Sequence, residues 1–114
     1  MDGFLILVGR GDVDNDRLTF GVGEPRDFWL HVAGPAGSHV LVRNPEGLDE
    51  LPRSVLERAA EVAAFYSKAR GARGKVLVHV CRVADVSKPR GLLPGQVLLR
   101  RFSQVRVYPR GIEE

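Results

Sequence analysis

The stretch from Pro52 to Arg70 restricts the possible fold more than any other part of the chain. Val55, Leu56, Ala59, Ala60, Ala63 and Tyr66 recur at three- and four-residue spacing, the period of one helix face, and Gly71 and Gly74 follow as stop signals. The spacing predicts a single amphipathic helix of about five turns. Its alanine-rich face suits close approach to a sheet, and Glu57 and Glu61 near its start with Lys68 and Arg70 near its end suit the helix dipole. Elsewhere the hydrophobic period is that of strands, so the helix has sheet on both sides of it in the sequence.

The strand-like segments come in pairs. Phe4 to Val8 ends at Gly9, and Leu18 to Val22 follows the turn-rich Arg10-Gly11-Asp12-Val13-Asp14-Asn15-Asp16, which predicts a hairpin. Phe28 to Ala33 sets Phe28, Leu30 and Val32 on one face and Trp29 and His31 on the other. The tight Gly34-Pro35-Ala36-Gly37 loop leads into Ser38 to Arg43, where Val40 and Val42 alternate with His39, Leu41 and Arg43, and a second hairpin is expected. Val76 to Val83 is apolar on both faces and reads as a central, covered strand. Val97 to Arg101 and Gln104 to Val107, turning near Phe102 and Ser103, form the last expected pair, preceded by the loop Lys88-Pro89-Arg90-Gly91-Leu92-Leu93-Pro94-Gly95. The fold class expected is α+β, a mainly antiparallel sheet of about six to seven strands packed against one long central helix.

Composition limits what such a fold does. With 114 residues, 44% hydrophobic and 27% charged, the chain fits one globular domain over residues 1–114. No apolar run approaches the roughly 20 residues needed to cross a bilayer. Met1 is followed by Asp2 and Gly3 rather than a basic segment, so no secretory leader is expected and the location expected is cytoplasmic. Cys81, a lone cysteine in an apolar run, reads as a small buried hydrophobe. The formal net charge is only +3, but residues 1–50 carry −5 and residues 51–114 carry +8. Between Lys68 and Arg110 the only acid is Asp85. Such asymmetry points to a polyanionic partner, against the plainer reading that folding mixes the halves or that arginines keep a small domain soluble.

Several blocks together carry a family likeness. Gly9-Arg10, Asn15-Asp16-Arg17-Leu18-Thr19, Asp27-Phe28-Trp29-Leu30-His31-Val32, Gly37-Ser38-His39-Val40, Ala63-Ala64-Phe65-Tyr66-Ser67, and Lys88-Pro89-Arg90-Gly91 with Pro94-Gly95 stand in order from about Gly3 to Pro109. In this the chain closely resembles the NFACT-R domain. In larger family members that domain accompanies a DNA-glycosylase-like domain, helix-hairpin-helix segments and a coiled coil, in factors that bind obstructed large ribosomal subunits with tRNA and extend the stalled peptide. The resemblance implies a stand-alone version of the RNA-binding module, with tRNA or rRNA as partner and the large ribosomal subunit as the place where it is met. Two positions depart from the pattern: Gly11 stands where asparagine commonly follows Gly-Arg, and Ala36 where proline usually precedes Gly-Ser-His-Val.

The candidate nucleic-acid-binding residues are Arg10, Arg17, Trp29, His31, His39, Lys68, Arg70, Lys88 and Arg90. Trp29 and His31 share a strand face and His39 lies on the next strand, so three flat rings can gather where bases stack. The plainer alternatives are a core tryptophan and histidines that satisfy partners inside the fold. Arg10, Lys88 and Arg90 sit in loops beside glycine or proline, where side chains reach solvent and backbone can approach phosphate. Asn15, Asp16 and Arg17 read more as turn-fixing or positioning residues. Lys68 and Arg70 end the helix, while Arg100, Arg101, Arg106 and Arg110 either extend a phosphate track or guard strand edges.

No catalytic centre, metal or cofactor is expected. Asp16, His31 and His39 are the residues from which a small metal-dependent nuclease or hydrolase would be assembled, but no HExxH, cysteine pair, phosphate loop or nucleophile elbow accompanies them. A protein-interaction module, docking through the alanine-rich helix or an exposed strand, is the third possibility; it predicts binding insensitive to salt and to the loop cations.

Overall fold

The computed structural model describes residues 3–112; Met1 and Asp2, considered above for a leader, lie outside them. The elements are β1 (Ile6–Val8), α1 (Asp12–Asp16), a π-helical turn (Arg17–Val22), β2 (Phe28–Val32), β3 (Val40–Val42), α2 (Arg53–Phe65), β4 (Val76–Arg82), a 3-10 turn (Val83–Asp85), β5 (Val86–Ser87), β6 (Leu98–Leu99) and β7 (Ser103–Val107). Five strands form an antiparallel sheet in the order β1-β3-β2-β4-β7, and β5 and β6 form a separate two-stranded sheet. This corrects the expected fold class. The arrangement is α+β, but its strands divide between two sheets and its helices are α1 and a short α2 rather than one long central rod.

Alternation along the strands gives the sheet two different faces. Phe28, Leu30 and Val32 of β2, Val40 and Val42 of β3, Val76, Val78 and Val80 of β4 and Val107 of β7 pack with the Val55, Ala59, Ala60, Val62, Ala63 and Ala64 side of α2. Alanines at that contact let the helix backbone lie close to the valine-rich surface. On the opposite face Trp29, Leu41, Cys81, Val83 and Val86 make a second, smaller core, flanked by Leu7, Leu18, Val97 and Leu99. β4 pairs with β2 on one side and β7 on the other, the central position expected for it. The β2–β3 hairpin also forms as expected, with Trp29 opposite Leu41.

Three expected elements differ. Leu18 to Val22 does not return as a strand beside Phe4 to Val8; β1 pairs with β3 instead, and residues 12–22 coil as α1 and the π-helical turn. Helical spacing puts Asn15 and Thr19 on one buried side, where their polar groups meet the β2–β3 region, while Phe20 and Val22 stay exposed. Extended structure would group Leu18 with Phe20 and Val22 and leave those buried polar partners unsatisfied. The helix α2 stops at Phe65, well short of Arg70. There the chain turns to bond the 36–38 segment: Ser38 N–H donates to Tyr66 O at 2.8 Å, Lys68 N–H to Ala36 O at 2.9 Å, and Ser67 Oγ caps the helix on Ala64 O at 2.6 Å. Finally, the last two strands do not pair with each other; Leu98–Leu99 joins β5 and Ser103–Val107 joins β4.

Candidate nucleic-acid interface

The motif residues converge where α1, the 34–37 loop and the 88–97 loop meet. Asn15 accepts the His39 backbone N–H at 3.0 Å and donates from Nδ2 to Gly37 O at 3.2 Å, so one buried side chain fixes both the loop and the strand after it. A Cβ at Gly9 would run into Asn15 Oδ1, so glycine is required for Asn15 to sit there. Asp16 accepts Gly95 N–H at 3.1 Å and pairs with Lys88 Nζ at 3.1 Å. Lys88 Nζ also donates to Leu93 O at 2.6 Å and Gln96 O at 2.8 Å. Lys88 therefore staples the 88–97 loop onto α1.

A second polar chain runs beneath the sheet face. Trp29 Nε1–H donates to Thr19 Oγ1 at 3.1 Å, Thr19 Oγ1 lies 2.8 Å from His39 Nδ1, and His39 Nε2 lies 3.1 Å from Gly95 O. The carbonyl can only accept, so His39 Nε2 carries the proton; the Thr19 hydroxyl, which accepts from the indole, donates to Nδ1. Burial, helped by the nearby His31, pushes the His39 pKa down to about 4, so the ring is held neutral. Trp29 and His39 are each 1% exposed and both are fully engaged in the fold.

The three rings do gather. Centroids are 5.8 Å apart for Trp29 and His31, which are stacked, 5.0 Å for Trp29 and His39, and 5.6 Å for His31 and His39. Only His31 reaches the surface. Burial lowers its pKa against the backbone at Val32 and Gly37, with His79 lowering it further. His79, opposite His31 on β4, also has its pKa lowered by burial, and its ring lies 4.4 Å from that of Phe102.

Two clefts flank this region. One, of about 830 Å³, is lined by the Gly9-Arg10-Gly11 turn, Ala36-Gly37-Ser38 and the segment after α2, and brings Arg10, Lys68 and Arg70 together. All three are exposed and carry no ion pair among the described residues, although the Arg70 guanidinium rests 3.9 Å from the centre of the Phe65 ring. The other, of about 1020 Å³, has Trp29, His31, His79 and Phe102 as its floor and the 92–99 segment as one wall. Asp12, Asn15, Ala36 and Gly37 line both clefts, so a single ridge separates them.

The sequence-derived candidates thus divide. Arg10, Lys68 and Arg70 share the cationic cleft; Trp29, His31 and His39 stack as a group but only His31 is accessible; Lys88 is turned inward. Arg17 and Arg90 are exposed and line neither cleft. Among the other cations of the C-terminal third, Arg100 pairs with Asp85, Arg110 with Glu61, and Arg82 donates to the carbonyls of Arg26, Leu48 and Asp49. Sequence reading passed over His79 and Phe102. The run Val76 to Val83 looks apolar throughout, and only strict alternation marks His79 as belonging to the face of His31.

Comparison with known proteins agrees with the motif blocks. The NFACT protein RNA binding domain matches residues 1–101. The "Rqc2 homolog RqcH" of Bacillus subtilis is 40% identical over 107 residues, covering 94% of this chain and 18% of that protein. Its namesake in Streptococcus suis is 37% identical over 106 residues, covering 92% and 18%. Among solved structures, the C-terminal part of the fibronectin/fibrinogen-binding protein of Streptococcus suis superposes with a TM-score of 0.86 at 34% identity, over 95% of this chain and 42% of that one. The chain spans about a fifth of the length of the bacterial relatives it matches. With its motif residues locking three loops around a cationic cleft, and with these relatives, the chain belongs to the NFACT protein RNA-binding-domain family.

Proposed function

We propose that residues 1–114 act as one RNA-binding module in the cytoplasm, engaging tRNA or ribosomal RNA, with the large ribosomal subunit as its setting in ribosome quality control. Support for that setting comes from the names of the relatives, among them a "Ribosome quality control complex subunit NEMF homolog" in Drosophila melanogaster, 29% identical over 72 residues. The observation that carries the reading is the convergence of Arg10, Lys68 and Arg70 on one cleft with no carboxylate paired to them among the described residues. Unpaired, exposed cations around a concave surface attract phosphate and release its counterions. The face of His31 offers the one accessible ring of the three for stacking.

The module carries out no reaction of its own in this reading. Asp16 is occupied by Lys88 and Gly95 N–H, and both ring nitrogens of His39 are taken, so neither is poised to move a proton. The test is a salt titration of binding to tRNA and to a large-subunit rRNA fragment, with Arg10, Lys68 and Arg70 changed together to glutamine. Affinity should fall at every salt concentration, and the log–log slope should shrink by about 0.7 to 0.9 per lost phosphate contact. An unchanged slope removes the cleft from the interface.

A further inference from the structure

The second cleft differs in chemistry from its neighbour. Its floor is built of rings: His31 and His79 are cross-strand partners on β2 and β4, the buried Trp29 stacks behind His31, and Phe102, 46% exposed, lies against His79 with its ring tilted by 44°. Its walls are mostly apolar or backbone, with Asp12 the one charged side chain among the described residues that line it. Leu93 and Leu98, 64% and 54% exposed, rise from the 88–99 segment, and Gly34, Pro35, Ala36 and Gly37 face them. A ring-floored slot with exposed leucines, no cation among its described lining residues and a single acid, Asp12, on the ridge is a poor place for phosphate and a good one for a flat heteroaromatic ring.

Hydrogen-bonding capacity is distributed to match. The Trp29 indole N–H and both nitrogens of His39 are spent inside the fold, whereas neither ring nitrogen of His79 makes a hydrogen bond among the described residues. A neutral imidazole offers one donor and one acceptor, the pattern that a nucleobase edge can meet. Arg106 lies on the same sheet face, opposite Leu77 and two register positions along from the His79–Gln104 pair. At about 1020 Å³ the slot is at the upper end of the roughly 300–1,000 Å³ typical of small-ligand sites, ample for a base with its ribose.

We propose that this slot receives an unpaired nucleobase of the same RNA strand whose phosphates occupy the Arg10–Lys68–Arg70 cleft, the sugar–phosphate chain crossing the Ala36-Gly37 ridge. The inference rests on the RNA-binding reading above and narrows it: the preferred ligand is RNA with a single-stranded or extrahelical nucleotide, and His79 and Phe102 are specificity-determining residues. Base stacking is sequence-tolerant, so the slot selects for unpaired structure rather than for a base identity.

The test compares a single-stranded RNA with a blunt duplex of the same sequence, at fixed salt, for the wild type, Phe102→Ala, His79→Ala and the Arg10/Lys68/Arg70 glutamine variant. Folding of each is checked by circular dichroism. Loss of one stacking platform should weaken single-stranded binding about five- to a hundredfold while leaving duplex binding and the salt slope unchanged. A 4-thiouridine placed in the single strand should photocrosslink to peptides containing His79 or Phe102. Equal weakening of both RNAs, no weakening of either, or crosslinks confined to other segments would overturn the slot while leaving the cationic cleft intact. Failure of the wild type to bind either RNA would instead remove the RNA reading, and the slot with it. Unaltered RNA binding together with capture of an apolar peptide by the Leu93–Leu98–Phe102 rim would assign the groove to protein.

Discussion

Gly37 has no room for a side chain. A Cβ there would lie 2.6 Å from Ser67 Cβ, 3.0 Å from Ser67 Cα and 3.2 Å from Tyr66 O, and backbone cannot swing aside as a long side chain can. Gly37→Ala should therefore cost roughly 1–3 kcal/mol, read as a lower urea midpoint with an unchanged m-value. A variant as stable as the wild type would mean that the contact is looser than it looks. The same economy shows at Asn15, whose one amide holds a strand N–H and a loop carbonyl together. The blocks Gly-Ser-His-Val and Asn-Asp-Arg-Leu-Thr were visible as a family pattern. Their reason was not, because it lies in contacts between residues more than twenty positions apart that no local period reveals.

At the scale of elements, the helix and β2, β3 and β4 were legible because each obeys its own period against a large apolar core. Residues 12–22 were not. Leu18 to Val22 has the composition of a strand and the residues before it that of a turn, but Asn15 and Thr19 are buried while Arg17 between them is exposed, a pattern of helical and not of extended backbone. The end of α2 was hidden similarly: helical residues continue past Phe65, yet the chain leaves to make bonds with residues 36–38. The 88–97 loop owes its shape to a lysine read as a phosphate contact and found bound to Asp16, Leu93 O and Gln96 O. Lys88→Met should loosen this loop, costing about 1–3 kcal/mol through the acceptors left behind, with faster amide exchange at Gly95. It should leave the salt slope of RNA binding untouched; a smaller slope would return Lys88 to the interface.

For the whole molecule, the charge asymmetry of the sequence translates only in part into an exposed patch, because carboxylates or carbonyls engage several late cations. Of the cations left free of ion pairs among the described residues, Arg10, Lys68 and Arg70 share a cleft beside the histidine-floored one, whereas Arg73, Arg90, Arg101 and Arg106 are exposed and line neither. Three histidines with lowered pKa values give the fold a defined response to acid. The unfolded chain takes up protons near pH 6.5, whereas His39 in the folded protein does so only near pH 4. Stability is thus full above about pH 6.5 and declines as the pH falls toward 4, since there the unfolded state binds more protons. Urea midpoints measured from pH 7.5 to 4.5 should show that decline, and His39→Gln should flatten it. An equally steep fall in the variant would place its origin elsewhere.

The Ala36-Gly37 ridge, thin because glycine meets Ser67 without a side chain between them, acts as a spacer of fixed width. A nucleotide strand reaches both hollows at once only if the sugar linking phosphate to base spans that width. Thickening the ridge would turn one continuous footprint into two independent ones, each binding weakly and neither reporting on the other.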